Sequence, residues 1–297
     1  TGLARSGTTA LLNRFYATEE LGSFLYKFMP FILFPELARI ASRSKNNIPT
    51  LERFHSDGIK INLNSPECLD EVFWIKSLIT HNNKEFLEPS IVANDTLKAY
   101  NYLIEEFKLI QGKKRMLIKN NKNHLRLRSL LEFFPDSYFI FIYRDPIQQA
   151  NSLLEQHLNF RNLQSKDKFI LNYMNLIGHF EFGLGVKSFI YKSNERKFYK
   201  KNKLITKYWL NQWITTHKWL LEENFINYSN FILISYEDLC DAEMNLYEKL
   251  CHKVEIINFH KGLTFKSSNK MHNFKDIDTK LKNISYELYS QLKSISF

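Results

Sequence analysis

The sequence predicts an α/β protein in three layers, a parallel sheet with helices on both faces, and a helical insertion after the first helix. Three observations carry that prediction. Residues 137–143 (SYFIFIY) and 231–235 (FILIS) are continuous apolar runs without the alternation of a strand that has one wet face. Each run is followed by helical periodicity, and a glycine-bounded loop at the start of the chain opens directly into a helix. Strands of this kind, separated by helices, imply a parallel sheet buried on both sides.

In order along the chain, residues 9–18 (TALLNRFYAT) set Leu11, Leu12, Phe15 and Tyr16 on one helical face. The chain begins at Thr1 rather than Met, inside a motif, so the strand expected before the loop, and any targeting segment, would precede it. Residues 21–112 mix aromatic and polar segments and read as a helical insertion. Within it Ser65, Pro66 and Glu67 have the order of a cap, a first helical position and a first-turn acid. Residues 116–118 (MLI) predict a short buried strand, 124–134 a helix and 137–143 a strand. Helices follow over 146–160 and 204–223, then a strand over 231–235 and a helix over 237–251. Trp209, Trp213 and Phe225 stripe the Trp-rich helix and its end and read as core. No repeat or linker divides residues 1–297, so a single domain is expected.

With 44% hydrophobic and 15% aromatic residues, 297 residues can bury one large core. Forty-one Lys and Arg against thirty-one Asp and Glu give a charge of +10, which favours anionic ligands in general. The basic residues are scattered and no groove-reading or single-strand motif accompanies them, so no nucleic-acid partner is expected. Cys68, Cys240 and Cys251 lack CxxC spacing; neither a disulfide framework nor a zinc site is implied, and a reducing, cytoplasmic location is expected. The longest apolar stretch, 24–40, is interrupted by Lys27, Pro30, Pro35, Glu36 and Arg39, too often for a membrane span of about 20 residues.

Gly2-Leu-Ala-Arg-Ser-Gly7-Thr8-Thr9 has the two-glycine spacing of a P-loop, whose backbone N–H groups wrap phosphate oxygens at a helix N-terminus. A nucleotide triphosphatase places Lys after the second glycine and binds Mg²⁺ through the next hydroxyl. Here Thr8 holds the lysine's place, the cation is Arg5 within the loop, and Ser6, Thr8 and Thr9 supply three hydroxyls. That set suits a phosphosulfate without a metal. A P-loop kinase or nucleotide hydrolase is the alternative enzyme, and a non-catalytic nucleotide-binding protein a third class; Asp145 is the nearest acid for Mg²⁺, and helix capping accounts for it. At the second motif, Arg144 ends a buried strand, where open α/β sheets bind ligands. Gln148, Ser152 and Gln156 share one face of the helix that follows, so Arg144 and Ser152 are expected to converge on one phosphate.

RSGTT near the start and IYRDPIQQANSLL much later resemble the 5'-phosphosulfate loop and the 3'-phosphate site of sulfotransferases. TEELGSFLYKFMPF, DGIKINLNSPECLDEVFW, FPDSYFIFIYRDP, NSLLEQHLNF and YMNLIGHFEFG extend the likeness to a bacterial family of the P-loop fold. The resemblance implies transfer of a sulfuryl group from 3'-phosphoadenosine 5'-phosphosulfate to a hydroxyl or amine, with adenosine 3',5'-bisphosphate as the product. It implies Arg5, Ser6, Gly7, Thr8 and Thr9 at the 5'-phosphosulfate, Arg144 and Ser152 at the 3'-phosphate, and more weakly Ser267, Ser268 and Asn269 at the nucleotide. The acceptor, whether small alcohol, glycan, lipid or peptide, is left open.

Transfer to a hydroxyl needs a base beside the acceptor and a cation at the bridging oxygen. Arg5 is the expected cation. Glu20, beyond the helix that leaves the loop, is the first candidate for the base, on its likeness to a glutamate in related RSGTT enzymes. Glu67 and Glu71, expected at i and i+4 on one helix, are alternatives with His55 and His124, and Lys119 ends a short strand toward the expected cleft. Animal cytosolic sulfotransferases have Lys where this chain has Arg5, and a histidine base for which no position here is a secure match.

Overall fold

A computed structural model describes residues 1–43, 50–52, 60–78, 85–199, 203–241, 244–259, 265–267 and 277–297. The first part runs α1 (Thr8–Tyr16), β1 (Leu21–Gly22), α2 (Pro35–Arg43), β2 (Leu51–Glu52), β3 (Lys60–Ile61), α3 (Glu71–Ser77), β4 (Phe86–Leu87) and α4 (Asn94–Gln111). Next come β5 (Arg115–Met116), α5 (Leu127–Phe133), β6 (Phe139–Tyr143), α6 (Pro146–Lys166), α7 (Lys168–Leu176) and β7 (Ser188–Phe189). The chain ends with α8 (Arg196–Tyr199), α9 (Thr206–Glu222), β8 (Phe231–Ser235), α10 (Tyr236–Cys240), α11 (Leu246–Lys253) and α12 (Thr279–Ile295).

The central pair is β6 and β8, parallel and in register from Phe139 opposite Phe231 to Tyr143 opposite Ser235. Phe141, Tyr143, Phe231 and Leu233 face one core with Ile147 and Leu153 of α6 and Trp209 and Trp213 of α9. Ile142, Ile232 and Ile234 face a second core with Leu11 and Phe15 of α1 and Leu246 and Leu250 of α11. Both faces are dry, which is why neither strand alternates in sequence. Thr1 lies along β6: its nitrogen donates to the Ile140 carbonyl at 2.7 Å, and the Ile142 N–H donates to its carbonyl at 3.0 Å. The loop after it therefore opens at the carboxyl end of the sheet, and Arg144 stands at the same end. Asp145 caps α6 through the Gln148 N–H at 2.8 Å, with Pro146 in the first turn as the sequence predicts.

The segment between α1 and β5 has its own core of Phe24, Phe28, Trp74, Tyr100, Leu103 and Phe107. It is not purely helical. β1 pairs with β5 and β4 with β7, both parallel, while β2 and β3 form a hairpin-like antiparallel pair. The helix start expected at Ser65 is also corrected. Pro66 forms an antiparallel bridge with Leu25, the Glu67 N–H donates to the Phe24 carbonyl at 3.0 Å, and helix begins only at Glu71. Backbone groups that a helix cap would have served are satisfied by the neighbouring chain, so Glu67 and Glu71 do not share a helix. The strand expected at 116–118 occupies Arg115–Met116, and residues 121–126 of the next segment form a 3₁₀ turn before α5. The helix expected over 237–251 is two helices, α10 and α11.

Candidate active site

The loop between Thr1 and α1 is held in a conformation that few side chains tolerate. Gly7 has φ 101°, and a Cβ there would lie 2.1 Å from the Tyr236 ring. At Gly2, with φ 135°, a Cβ would lie 2.3 Å from the Ile142 carbonyl oxygen. Arg5 has φ 68°, a left-handed conformation that costs a non-glycine residue roughly 1–2 kcal/mol. No side chain caps α1, so its first N–H groups are left for an anion. Ser6 is fully buried, and its hydroxyl has no hydrogen-bond partner among the described residues. An orphaned buried hydroxyl costs about 1–3 kcal/mol unless a ligand satisfies it. Thr8 is tied instead to Asn121, its hydroxyl donating to Oδ1 at 3.3 Å.

This loop forms one wall of a cleft of about 1230 Å³, which Arg5, Gly7, Thr8, Thr9, Arg144 and Ser152 all line. The two motifs meet directly: the Arg5 Nε donates to the Ser152 hydroxyl at 2.9 Å. Arg144 donates from Nη2 to Gln148 Oε1 at 3.0 Å, and its guanidinium lies over the Tyr236 ring at 5.5 Å. Its Nε makes no hydrogen bond, the nearest anion being Glu237 Oε1 at 3.9 Å. Two guanidiniums and an uncapped helix start thus face the cleft, the buried Ser6 hydroxyl lies within the loop beside Gly2, and no carboxylate is at hydrogen-bonding distance from Arg144 Nε. The residues present fit a ligand carrying phosphate-like anions at both ends of this wall.

Farther along, the cleft is lined by Glu67, Glu71, Lys119, Lys122, His179 and Glu181. Glu67 accepts from Lys119 at 3.0 Å. Glu71 is clamped by Arg126 at 2.6 Å and Lys122 at 3.2 Å and accepts from Asn120 at 2.7 Å. Burial works against its charge, but these cations hold its carboxyl below the usual carboxylate range. Glu71 therefore serves as an anchor, with little basicity left. His179 Nδ1 lies 3.3 Å from Glu181 Oε2, a contact without hydrogen-bond geometry, and the ring packs against the stacked pair Phe160 and Phe182, at centroid distances of 5.8 and 5.9 Å. Burial, against the pull of Glu181, lowers its pKa from the ordinary 6.5, so the imidazole is neutral near pH 7. A neutral imidazole with a carboxyl group beside it has the groups a general base uses, although the two are not hydrogen-bonded to each other here.

Several expected residues lie elsewhere. Glu20 is not among the residues lining the cleft. Its Oε1 accepts from the backbone N–H groups of Ile257, at 2.8 Å, and Asn258. The bend after α1 carries it to the α11 end of the molecule instead of back over the loop. His124 is wholly buried, bonded to the Asn121 carbonyl at 2.7 Å and the Tyr191 hydroxyl at 2.8 Å, with its pKa driven by burial to about 3. His55, Ser268 and Asn269 lie outside the described residues, though Phe265 and Lys266 beside Ser267 line the cleft. Lys119 does line it. Lys122, His179 and Glu181 escaped the sequence reasoning because they occupy irregular segments, where no periodicity assigns a face. The GHFEF stretch offered only the spacing of His179 and Glu181 as a signal. Among the described residues no group of three or more His, Cys, Asp or Glu could hold a metal ion. No described helix is long and apolar enough to cross a membrane.

A parallel α/β sheet with a glycine loop, an uncapped helix start and a strand-end arginine at its carboxyl end is an arrangement that fits phosphate-like anions. Residues 1–181 match the model of the sulfotransferase family, and the chain belongs to that family. The match spans both motifs and His179, and the mixed α/β architecture with parallel strands agrees with the P-loop-type fold. No curated protein and no solved structure matches the chain.

Proposed function

We propose that the chain transfers a sulfuryl group from 3'-phosphoadenosine 5'-phosphosulfate to an acceptor hydroxyl, releasing adenosine 3',5'-bisphosphate. The observation that carries this is the Arg5–Ser152 hydrogen bond, which brings the loop and the Arg144 motif together on one cleft wall. The donor supplies an activated sulfuryl group. Ser6, Gly7, Thr8 and Thr9 would hold its 5' side, and Arg144 and Ser152 its 3'-phosphate. Arg5 would offset the negative charge that collects on the bridging oxygen as the bond to sulfur breaks. His179 would take the acceptor's proton, with Glu181 steadying the imidazolium that results. His179 replaces Glu20 in this role, because Glu20 is committed to backbone amides outside the cleft lining.

The kinase alternative has less support, since Thr8 stands where a triphosphatase needs Lys. Titration calorimetry with EDTA present tests the proposal. Adenosine 3',5'-bisphosphate is expected to bind without Mg²⁺. Binding of ATP that requires Mg²⁺, with none of the bisphosphate, would overturn it.

A further inference from the structure

The cleft, at about 1230 Å³, exceeds the roughly 300–1,000 Å³ of a typical small-molecule site. Space remains for a second ligand beyond the anion wall, and its lining has a definite polarity. At the inner end three acids face three cations: Glu67 pairs with Lys119, Glu71 with Lys122 and Arg126, and Glu181 also acts on Lys122, with the neutral His179 beside it. Such an end offers many hydrogen-bonding groups and no surplus of either sign, which suits a neutral, hydroxylated head.

From His179 outward the lining becomes apolar. α7 sets Phe169, Ile170, Tyr173, Met174 and then Ile177 on one stripe, the spacing of a helical face, and all five line the cleft. Their exposure rises along the wall, from 5% at Met174 through 37% at Tyr173 to 72% at Phe169. The Phe169 and Tyr173 rings stack at 6.0 Å, extending the wall to the surface. Met174 and Ile170 anchor the stripe on the main core, while Tyr173 and Phe169 turn toward the open cleft and leave apolar area in water, a cost that a bound apolar chain would remove.

We infer that the acceptor is an amphiphile, with a neutral hydroxylated head beside His179 and a single apolar tail laid along α7 toward Phe169. This rests on the proposed transfer chemistry for its head group, while the tail contact stands on the α7 wall alone. The sulfuryl–oxygen bond to the head would form as the bond to the donor breaks, with the hydroxyl proton passing to His179 and the bisphosphate leaving.

The test titrates the full chain, saturated with adenosine 3',5'-bisphosphate, with methyl, n-hexyl and n-octyl β-D-glucopyranoside below their micellar concentrations. Affinity is expected to rise roughly two- to fourfold per methylene, so the octyl glycoside should bind about 4 to 15 times more tightly than the hexyl. Phe169→Ser combined with Tyr173→Ser should erase most of that gain. Leu176→Ser, on the same helix, 64% exposed and not among the cleft-lining residues, should preserve it. Equal affinity for all three glycosides would overturn the inference, as would equal losses in the Leu176 and Phe169/Tyr173 variants, the sign of adsorption without a site. Tighter binding of n-octylammonium than of octyl glucoside would overturn the neutral head. If the bisphosphate itself does not bind, the donor chemistry fails, and the same chain-length series on the nucleotide-free chain still decides the α7 wall.

Discussion

Replacing Arg144 with alanine isolates the second motif, because the structure shows what else the side chain does. Its Nη2 bond to Gln148 and its stacking over Tyr236 are partly wet contacts. Glu237, its nearest anion, keeps partners of its own: the Asp145 N–H at 3.0 Å, the Ser235 hydroxyl at 3.1 Å and the Tyr289 hydroxyl at 3.0 Å. Arg144→Ala is therefore expected to fold. What it removes is a guanidinium whose Nε has no hydrogen-bond acceptor among the described residues. A hydrogen bond to a charged group contributes about 1.5–3 kcal/mol, so adenosine 3',5'-bisphosphate should bind roughly 10 to 150 times more weakly. Adenosine 5'-phosphosulfate, which has no 3'-phosphate, should change by less than about threefold, under 1 kcal/mol. Arg144→Lys keeps the charge without the fork and should fall between wild type and alanine. Calorimetry of both nucleotides against the three proteins gives the comparison. Equal losses for the two ligands would refute the assignment and make Arg144 a structural residue.

Gly7→Ala should abolish bisphosphate binding and lower the urea midpoint, since its Cβ would meet the Tyr236 ring at 2.1 Å with φ at 101°; retained binding would show that the loop can shift. His179→Gln should slow single-turnover transfer by about 10² to 10⁴ with bisphosphate affinity unchanged, while Glu20→Gln should stay within about threefold. The wild-type rate should be flat above pH 6.5, the ordinary histidine value, and fall below it as the imidazole gains a proton; the opposite ranking of the two variants would restore Glu20. Folding stability should be acid-sensitive through His124 and His217, buried as neutral imidazoles with pKa values near 3 and 4 against an ordinary 6.5. Because the folded values lie below the unfolded one, this stability is fully present above pH 6.5. As pH falls from there toward the folded values it is lost, by roughly 2 to 3 kcal/mol per pH unit for the pair. Urea midpoints at pH 7.5, 5.5 and 4.5 measure it, and no decline between the first two would contradict the burial.

The parts legible in the sequence are those whose signal is local. A run such as FILIS is apolar at four successive residues because both faces of β8 are buried, and no distant partner is needed to see it. The loop was equally plain, since Gly2 and Gly7 stand where a side chain would strike Ile142 or Tyr236. The segment at 65–67 shows the opposite case: Ser-Pro-Glu carries a genuine helix-start pattern, and it lost to backbone pairing with Phe24 and Leu25, which only the tertiary fold supplies. The position of Glu20, away from the cleft lining, is hidden in the sequence for a related reason. Its distance from the loop along α1 was known, but the direction of the chain after Tyr16 was not. His179 and Glu181 are brought to the cleft by the turn at Gly178, whose φ of 74° and close approach to Ile75 leave no room for a side chain. Nothing in residues 178–181 alone identifies which wall they join.

The cleft also accounts for polar groups that a stable core would not leave as they are. Ser6 Oγ, Arg144 Nε and Gln156 Nε2 are all buried without a hydrogen bond, and Ser6, Arg144 and Gln156 belong to the loop, the strand end and the α6 face that meet there. At about 1–3 kcal/mol each, three such groups amount to several kcal/mol of forgone stability, a large share of the 5–15 kcal/mol that holds a typical domain together. While Asn151, His157 and His217 also bury atoms without hydrogen bonds away from the cleft, Arg144 and Gln156 line it, where a ligand would satisfy them. In the same region Arg5 sits at positive φ and Gly7 is pinned by Tyr236, so the geometry is already set before any ligand arrives. Groups fixed in advance need no reorganisation when charge develops, which is what makes oriented donors effective in transfer reactions. On this wall the forgone hydrogen bonds and the proposed binding of phosphate-like anions would have the same physical origin.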